Sequence, residues 1–268
     1  MTDERKTIKD RIVALLKGTG EVTAGAVDAA RDGIKSALEG ATDVASSTLG
    51  AVSGVVAGAL DAVGEVGTGL VNVVRGTVVG VVKGVGEIAT VTVGVISDTV
   101  RAALKGTHEV GGDVATTASG IASGVIESTK DVGLGLTDAV TGLASGVIKG
   151  ANDVGADVTA AVSGTMRGVV TGAKDVGADS LDAVTTTAAG LVRSTGEVGG
   201  DVVEVTTAAI SGAIAGARDV GLSVEDAASA AATGAFNAAN EIGGSAVDAV
   251  TGVAKKGVDG VVAVIKRD

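Results

Sequence analysis

An acidic residue followed by valine or isoleucine recurs every 22 residues along this chain, at Glu21, Asp43, Glu65, Glu87, Glu109, Asp131, Asp153, Asp175, Glu197, Asp219 and Glu241. No insertion or deletion interrupts the series. The following column reads Val22, Val44, Val66, Ile88, Val110, Val132, Val154, Val176, Val198, Val220 and Ile242, and Val264 continues it. A fixed period of this length confines the chain to repeat architectures, either helical or a β-solenoid.

Within the unit 131–152 the larger apolar residues are Val132, Leu136, Val140, Leu143, Val147 and Ile148. Steps of three and four are helical, whereas a strand needs sustained alternation. Alternation over Thr90 to Ile96 does not recur in neighbouring units. Proline is absent from all 268 residues, which removes one of the usual stop signals. The sequence therefore predicts an all-α chain: a single very long amphipathic helix with a 22-residue (two times eleven) repeat. Eleven residues in three turns favours a right-handed supercoil, so the expected assembly is a right-handed coiled coil, a multi-helix barrel or a filament. Unbroken, such a helix would be about 400 Å long at about 1.5 Å per residue. On this reading the chain divides into a charged N-terminal cap over 1–20, the repeat helix over 21–262 and a short C-terminal end over 263–268. Gly-Gly pairs at 111–112, 199–200 and 243–244 occupy columns that carry single glycines elsewhere and are read as part of the pattern.

One side of the helical wheel is charged. It holds the acidic column, Lys83, Lys105, Lys149 and Arg193, and a further acidic row at Asp138, Asp182, Glu204, Asp226 and Asp248. Lys83 with Glu87 and Lys149 with Asp153 are i,i+4 neighbours, expected to contribute a few tenths of a kcal/mol each. The opposite, aliphatic side covers nearly half the circumference and is the predicted assembly face: the Val/Ile column from Val22 to Ile242, with Ile126 and Ile148. Beside it runs a ladder of glycines at four-residue spacing, Gly76, Gly80 and Gly84, then Gly142, Gly146 and Gly150, then Gly164, Gly168 and Gly172. Such ladders let helix backbones approach closely. Each glycine costs an isolated helix roughly 1 kcal/mol relative to alanine, so the helix is expected to form only when its apolar face is covered.

Composition narrows the function. With one histidine, His108, and no cysteine, the chain cannot assemble a multi-histidine or cysteine-ligated metal site, nor a cysteine nucleophile. Carboxylates at regular intervals on a solvated face are poorly placed for acid/base work. No catalytic, cofactor-binding or metal-binding residue is predicted, and the chain is read as non-enzymatic with no small-molecule substrate. A net charge of −11 and a single aromatic, Phe236, argue against nucleic acid as a partner. Ile12 to Leu16 is too short for the core of a signal peptide, so no cleavable export signal is expected. The compartment stays open between membrane association and a non-classical export route. The charge-free run Val44 to Leu60 sits at the lower edge of bilayer-spanning length.

Thr141 to Asp157, TGLASGVIKGANDVGAD, and Thr171 to Asp179, TGAKDVGAD, resemble the eleven-residue-periodic amphipathic regions of perilipins and, more loosely, synucleins. The strict period also resembles long hendecad coiled coils. The first resemblance implies lipid-surface binding through helix formation; the second implies self-association. The leading expectation is a structural protein that self-assembles through the aliphatic face and glycine ladders, with itself as partner and lipid as a candidate second partner. The alternative is a peripheral lipid-binding helix that coats membranes or droplets. A weaker reading is a stress-protection chain that orders on drying.

Overall fold

The computed structural model describes residues 22–38, 44–66 and 69–266, together with Asp10. The helical reading holds, but the single long helix does not form. Among the described residues the chain folds into eleven separate helices: α1 (Val22–Leu38), α2 (Val44–Val66), α3 (Leu70–Ile88), α4 (Val93–Glu109), α5 (Val114–Val132), α6 (Leu136–Val154), α7 (Val158–Asp175), α8 (Ser180–Glu197), α9 (Val202–Val220), α10 (Val224–Ile242) and α11 (Gly244–Lys256). Among the described residues there is no continuous coiled-coil seam; those from 22 to 256 form a stack of helices.

The break in each unit is a capping sequence. Gly111, Gly133, Gly155, Gly177, Gly199 and Gly221 adopt φ between 63° and 71°, the left-handed conformation that glycine enters without a Cβ penalty. At Gly155 the turn closes with the Ala156 amide donating to the Ala151 carbonyl and the Gly155 amide to Asn152. This pair of bonds satisfies carbonyls that a helix end leaves open. Two residues later an acid restarts the chain: Asp113, Asp157, Asp179 and Asp201 accept from the backbone amides of Thr116, Ala160, Asp182 and Glu204 at 2.7–3.1 Å. Ser223 does the same for Asp226. Asp138, Asp182, Glu204 and Asp226, read from sequence as a surface row, lie in first helical turns, where a carboxylate complements the helix dipole. The Gly-Gly pairs at 111–112 and 199–200 fall at these turns, and the pair at 243–244 falls at the start of α11.

Each helix from α1 to α10 packs most extensively against a helix two places along and less against its immediate neighbours, whereas α11 packs most against α10. The odd-numbered helices form one row and the even-numbered helices a second. Within a row the helices are parallel, because contacts keep a constant sequence offset: Gly142 meets Val93, Gly146 meets Ser97 and Gly150 meets Arg101, each 49 residues apart. The α1–α3 junction is set one turn further, with Gly80 against Val27. Two parallel neighbours joined by short turns at either end of a third helix require that third helix to run back between them. The fold is a two-row helical solenoid of the kind in which each unit contacts only near neighbours.

The core lies between the rows and is built of small residues. Ala227, Ala228, Ala231, Ala232, Ala235 and Ala239 of α10 are fully buried, and Ile34, Ile96, Leu104, Ile121, Ile126, Leu143, Ile148, Met166, Leu191, Ile210 and Ile214 are its largest wholly buried side chains among the described residues. Thr77, Thr99, Thr107, Thr165, Thr187 and Thr195 are buried with their hydroxyls donating to the carbonyl four residues earlier. That bond removes the cost of an unpaired hydroxyl in the interior. After α11 the chain makes a tight turn over Val258–Val261, closed by reciprocal amide–carbonyl bonds, and residues 262–266 continue onto α10. The Val264 amide donates to Ser229 Oγ, the Lys266 amide to Thr233 Oγ1, and Ser211 Oγ to an Asp259 carboxylate oxygen.

Candidate functional surface

The glycine ladders are where same-row backbones touch. A methyl group on Gly146 would stand 2.6 Å from the Ser97 carbonyl oxygen and 2.7 Å from Val100 Cβ; on Gly142 it would stand 2.7 Å from the Val93 carbonyl oxygen. Gly150 is the looser end of that ladder, with Arg101 Cα at 3.1 Å. Gly164, Gly168 and Gly172 of α7 face the backbone of Ala115, Ser119 and Ser123 on α5, and Ser123 Oγ donates to the Gly168 carbonyl at 3.1 Å. Gly76, Gly80 and Gly84 of α3 face Thr23, Val27 and Arg31 of α1. The ladders thus lie between helices of one chain. Gly212 and Gly216 of α9 and Gly234 of α10 belong to the same system but were not singled out in the sequence, because the ladder around them is completed by Ala208, Ala230 and Ala238.

Ile126 and Ile148 are buried in the inter-row core. The Val/Ile column is not brought together with them. Ile88, Val132, Val154, Val220 and Ile242 end their helices, and Val110, Val176 and Val198 follow the last helical residue, so these side chains cluster at the turns. Val132, Val154, Val176 and Val220 are half-buried there; Ile88, Val110, Val198 and Ile242 are exposed, Val110 to 46%. The side chains of Val22, Val44 and Val66 lie outside the described residues.

Among the described residues most charged side chains form ties along the rows; within a helix, Lys105 pairs with Glu109 at 4.0 Å and Arg31 with Asp28 at 3.4 Å and Asp32 at 3.6 Å. Lys83 pairs with Asp131 and Arg193 with Glu241, 48 residues apart, at 2.9 and 2.8 Å. Lys35 pairs with Glu87 and Arg75 with Glu127, 52 residues apart, at 2.6 and 2.9 Å. Arg101 with Asp153 and Arg167 with Asp219 repeat the 52-residue spacing. Glu87 and Asp153 thus pair with Lys35 and Arg101, each on a neighbouring helix of the row. These bridges are exposed and screened by solvent, so each adds little to stability by itself. The two spacings differ by one helical turn, and both fit the register that the glycines set. His108 is exposed near the end of α4.

Several carboxylates are tuned by these contacts. The side-chain and backbone bonds of Thr116 hold Asp113 below the ordinary aspartate value of 3.8, and the Thr159 hydroxyl with the Ala160 amide does the same for Asp157. Lys35 lowers Glu87 and Arg193 lowers Glu241 below the ordinary glutamate value of 4.5, through their hydrogen bonds first. Burial raises Asp98 in the opposite sense. A carboxylate depressed in the folded state stabilises the fold above its unfolded value and loses that contribution as pH falls through the folded value. Four depressed groups against one raised group predict a melting temperature that is flat from pH 7 to about 5 and falls below about pH 4. Melting curves followed by circular dichroism between pH 7 and 3 check this.

Among the described residues no three His, Asp or Glu side chains approach closely enough to hold a metal ion. No described helix, α2 with its Val44–Leu60 run included, is long and apolar enough to cross a membrane. No protein-family model matches the chain, and no curated protein matches it in sequence.

Proposed function

We propose that the chain is a non-enzymatic structural scaffold whose repeats are assembled within one molecule, acting through its outer surface and its length. The observation that carries this reading is the use of the glycine ladders and of the aliphatic positions between them. Both are occupied by helices of the same chain, while the outside presents ion pairs and capping carboxylates. A stack in which each unit supports only its neighbours extends with unit number, which suits a spacer or support.

The test is helicity and particle mass of lipid-free protein, before and after addition of neutral phosphatidylcholine vesicles. The scaffold reading expects a helical, folded particle whose helicity is unchanged by vesicles. A coil that becomes helical only on vesicles would replace it with the lipid-coat reading, in which the same aliphatic faces are buried among acyl chains.

A further inference from the structure

We propose that the rear flank of α2 is the docking surface for residues 9–17 of this same chain, which close the even row at its start. Every even helix from α4 onward sets its ladder positions against the helix before it in the row. Among the described residues no helix precedes α2 in that row. Yet Ala62, which occupies in α2 the ladder position of Gly106 in α4 and Gly150 in α6, is fully buried, and Gly58 one turn earlier is buried too. At Gly50 and Gly54 an added methyl would meet nothing within 4 Å, so the covered half is the C-terminal one.

The row's own register names the occupant. In the α4–α6 junction the side chains set against Gly142, Gly146 and Gly150 are those of Ile96, Val100 and Leu104, each 46 residues earlier and each buried. The residues 46 before Gly58 and Ala62 are Ile12 and Leu16. Both are apolar, and both lie a whole number of 22-residue units before Val100 and Leu104. Charge follows the same rule. Lys17 stands 48 residues before Glu65, as Arg193 stands before Glu241; Lys9 stands 52 residues before Asp61, as Arg75 stands before Glu127. Four independent positions thus match the apolar and ionic partners that the flank takes elsewhere in the stack. This inference concerns how the stack is closed and does not depend on the scaffold reading.

The chain has no cysteine, so an introduced pair reports the docking without background. Leu16→Cys with Ala62→Cys corresponds to Leu104 and Gly150, where Cβ positions stand 3.5 Å apart, within disulfide range. In the full-length chain, mild oxidation is expected to give a disulfide-linked monomer. A dimer joined through these cysteines would assign the flank to a second copy, and no disulfide would leave it without this occupant; either overturns the proposal. If the cysteine pair disturbs folding, Lys17→Glu is expected to lower the unfolding midpoint by a few degrees and Lys17→Glu with Glu65→Lys to restore it. An unchanged midpoint in the single variant, or no restoration in the double variant, overturns it equally.

Discussion

Alanine placed together at Gly80, Gly146 and Gly168 is expected to lower the thermal unfolding midpoint by roughly 5–15 °C, although alanine is the better helix former. Propensity alone argues for a gain of about 1 kcal/mol at each site. Packing opposes it. The new methyl groups would be driven against the backbone carbonyls of Val27, Ser97 and Ser119, which have no flexible side-chain end to yield. Overpacking of this kind costs typically about 1–3 kcal/mol per site. The three glycines sit in three different junctions, α1–α3, α4–α6 and α5–α7, so their effects are expected to add approximately. Circular dichroism melts of the single and triple variants measure the effect. A triple variant as stable as the parent chain would remove the close-approach role of the ladders.

A comparison of two deletions separates the solenoid from any architecture based on an eleven-residue period. Removing residues 158–179 takes out one whole unit, α7 with its turn, and joins the capping residue Asp157 to Ser180, the first residue of α8. Because the units share one register rule, the shortened chain is expected to stay helical and to unfold cooperatively, losing the α7 ion pair and the contacts particular to that helix. Removing only 158–168 deletes eleven residues, three turns, and preserves the apolar phase of a continuous helix. In the solenoid it leaves a stub of α7 too short to span between two turns and breaks the α5–α7 and α7–α9 junctions at once. The eleven-residue deletion is therefore expected to be far more damaging than the 22-residue deletion, as read by urea unfolding. Equal tolerance of both would contradict the repeat unit described here.

The helical faces were legible in the sequence; the turns between them were not. Val140, Leu143, Val147 and Ile148 follow helical spacing and are buried as that spacing requires. The glycine ladders were legible as sites of close approach, although not which helices they join. What misled was the phase. A helix of about nineteen residues followed by a three-residue turn has the same length as six turns of unbroken helix, so every column repeats at 22 residues in either architecture. The signal that distinguishes them is local. In Asp153–Val154–Gly155–Ala156–Asp157 a glycine able to take positive φ is followed two residues later by an N-capping carboxylate, a stop and a start in immediate succession. Glu197 to Asp201 repeats it with Gly199 and Gly200. With no proline anywhere, glycines end most of the described helices, α3, which stops at Ala89, being an exception. Read as one more small-residue column, the pattern hides its turns. The long-range ion pairs were not recoverable from one helical wheel either, because partners such as Arg75 and Glu127 meet only once the stack has formed.

Small-angle X-ray scattering of the lipid-free, full-length protein, recorded on the eluting chromatographic peak, tests most directly whether the chain buries its own repeats. The solenoid predicts a monomer with a radius of gyration of a few tens of ångströms, at or somewhat above the roughly 18 Å expected for a compact chain of this length. A rod whose radius of gyration exceeds about 100 Å, the value for an unbroken helix of about 1.5 Å per residue, or a monomer with the dimensions of an unfolded coil, would contradict it.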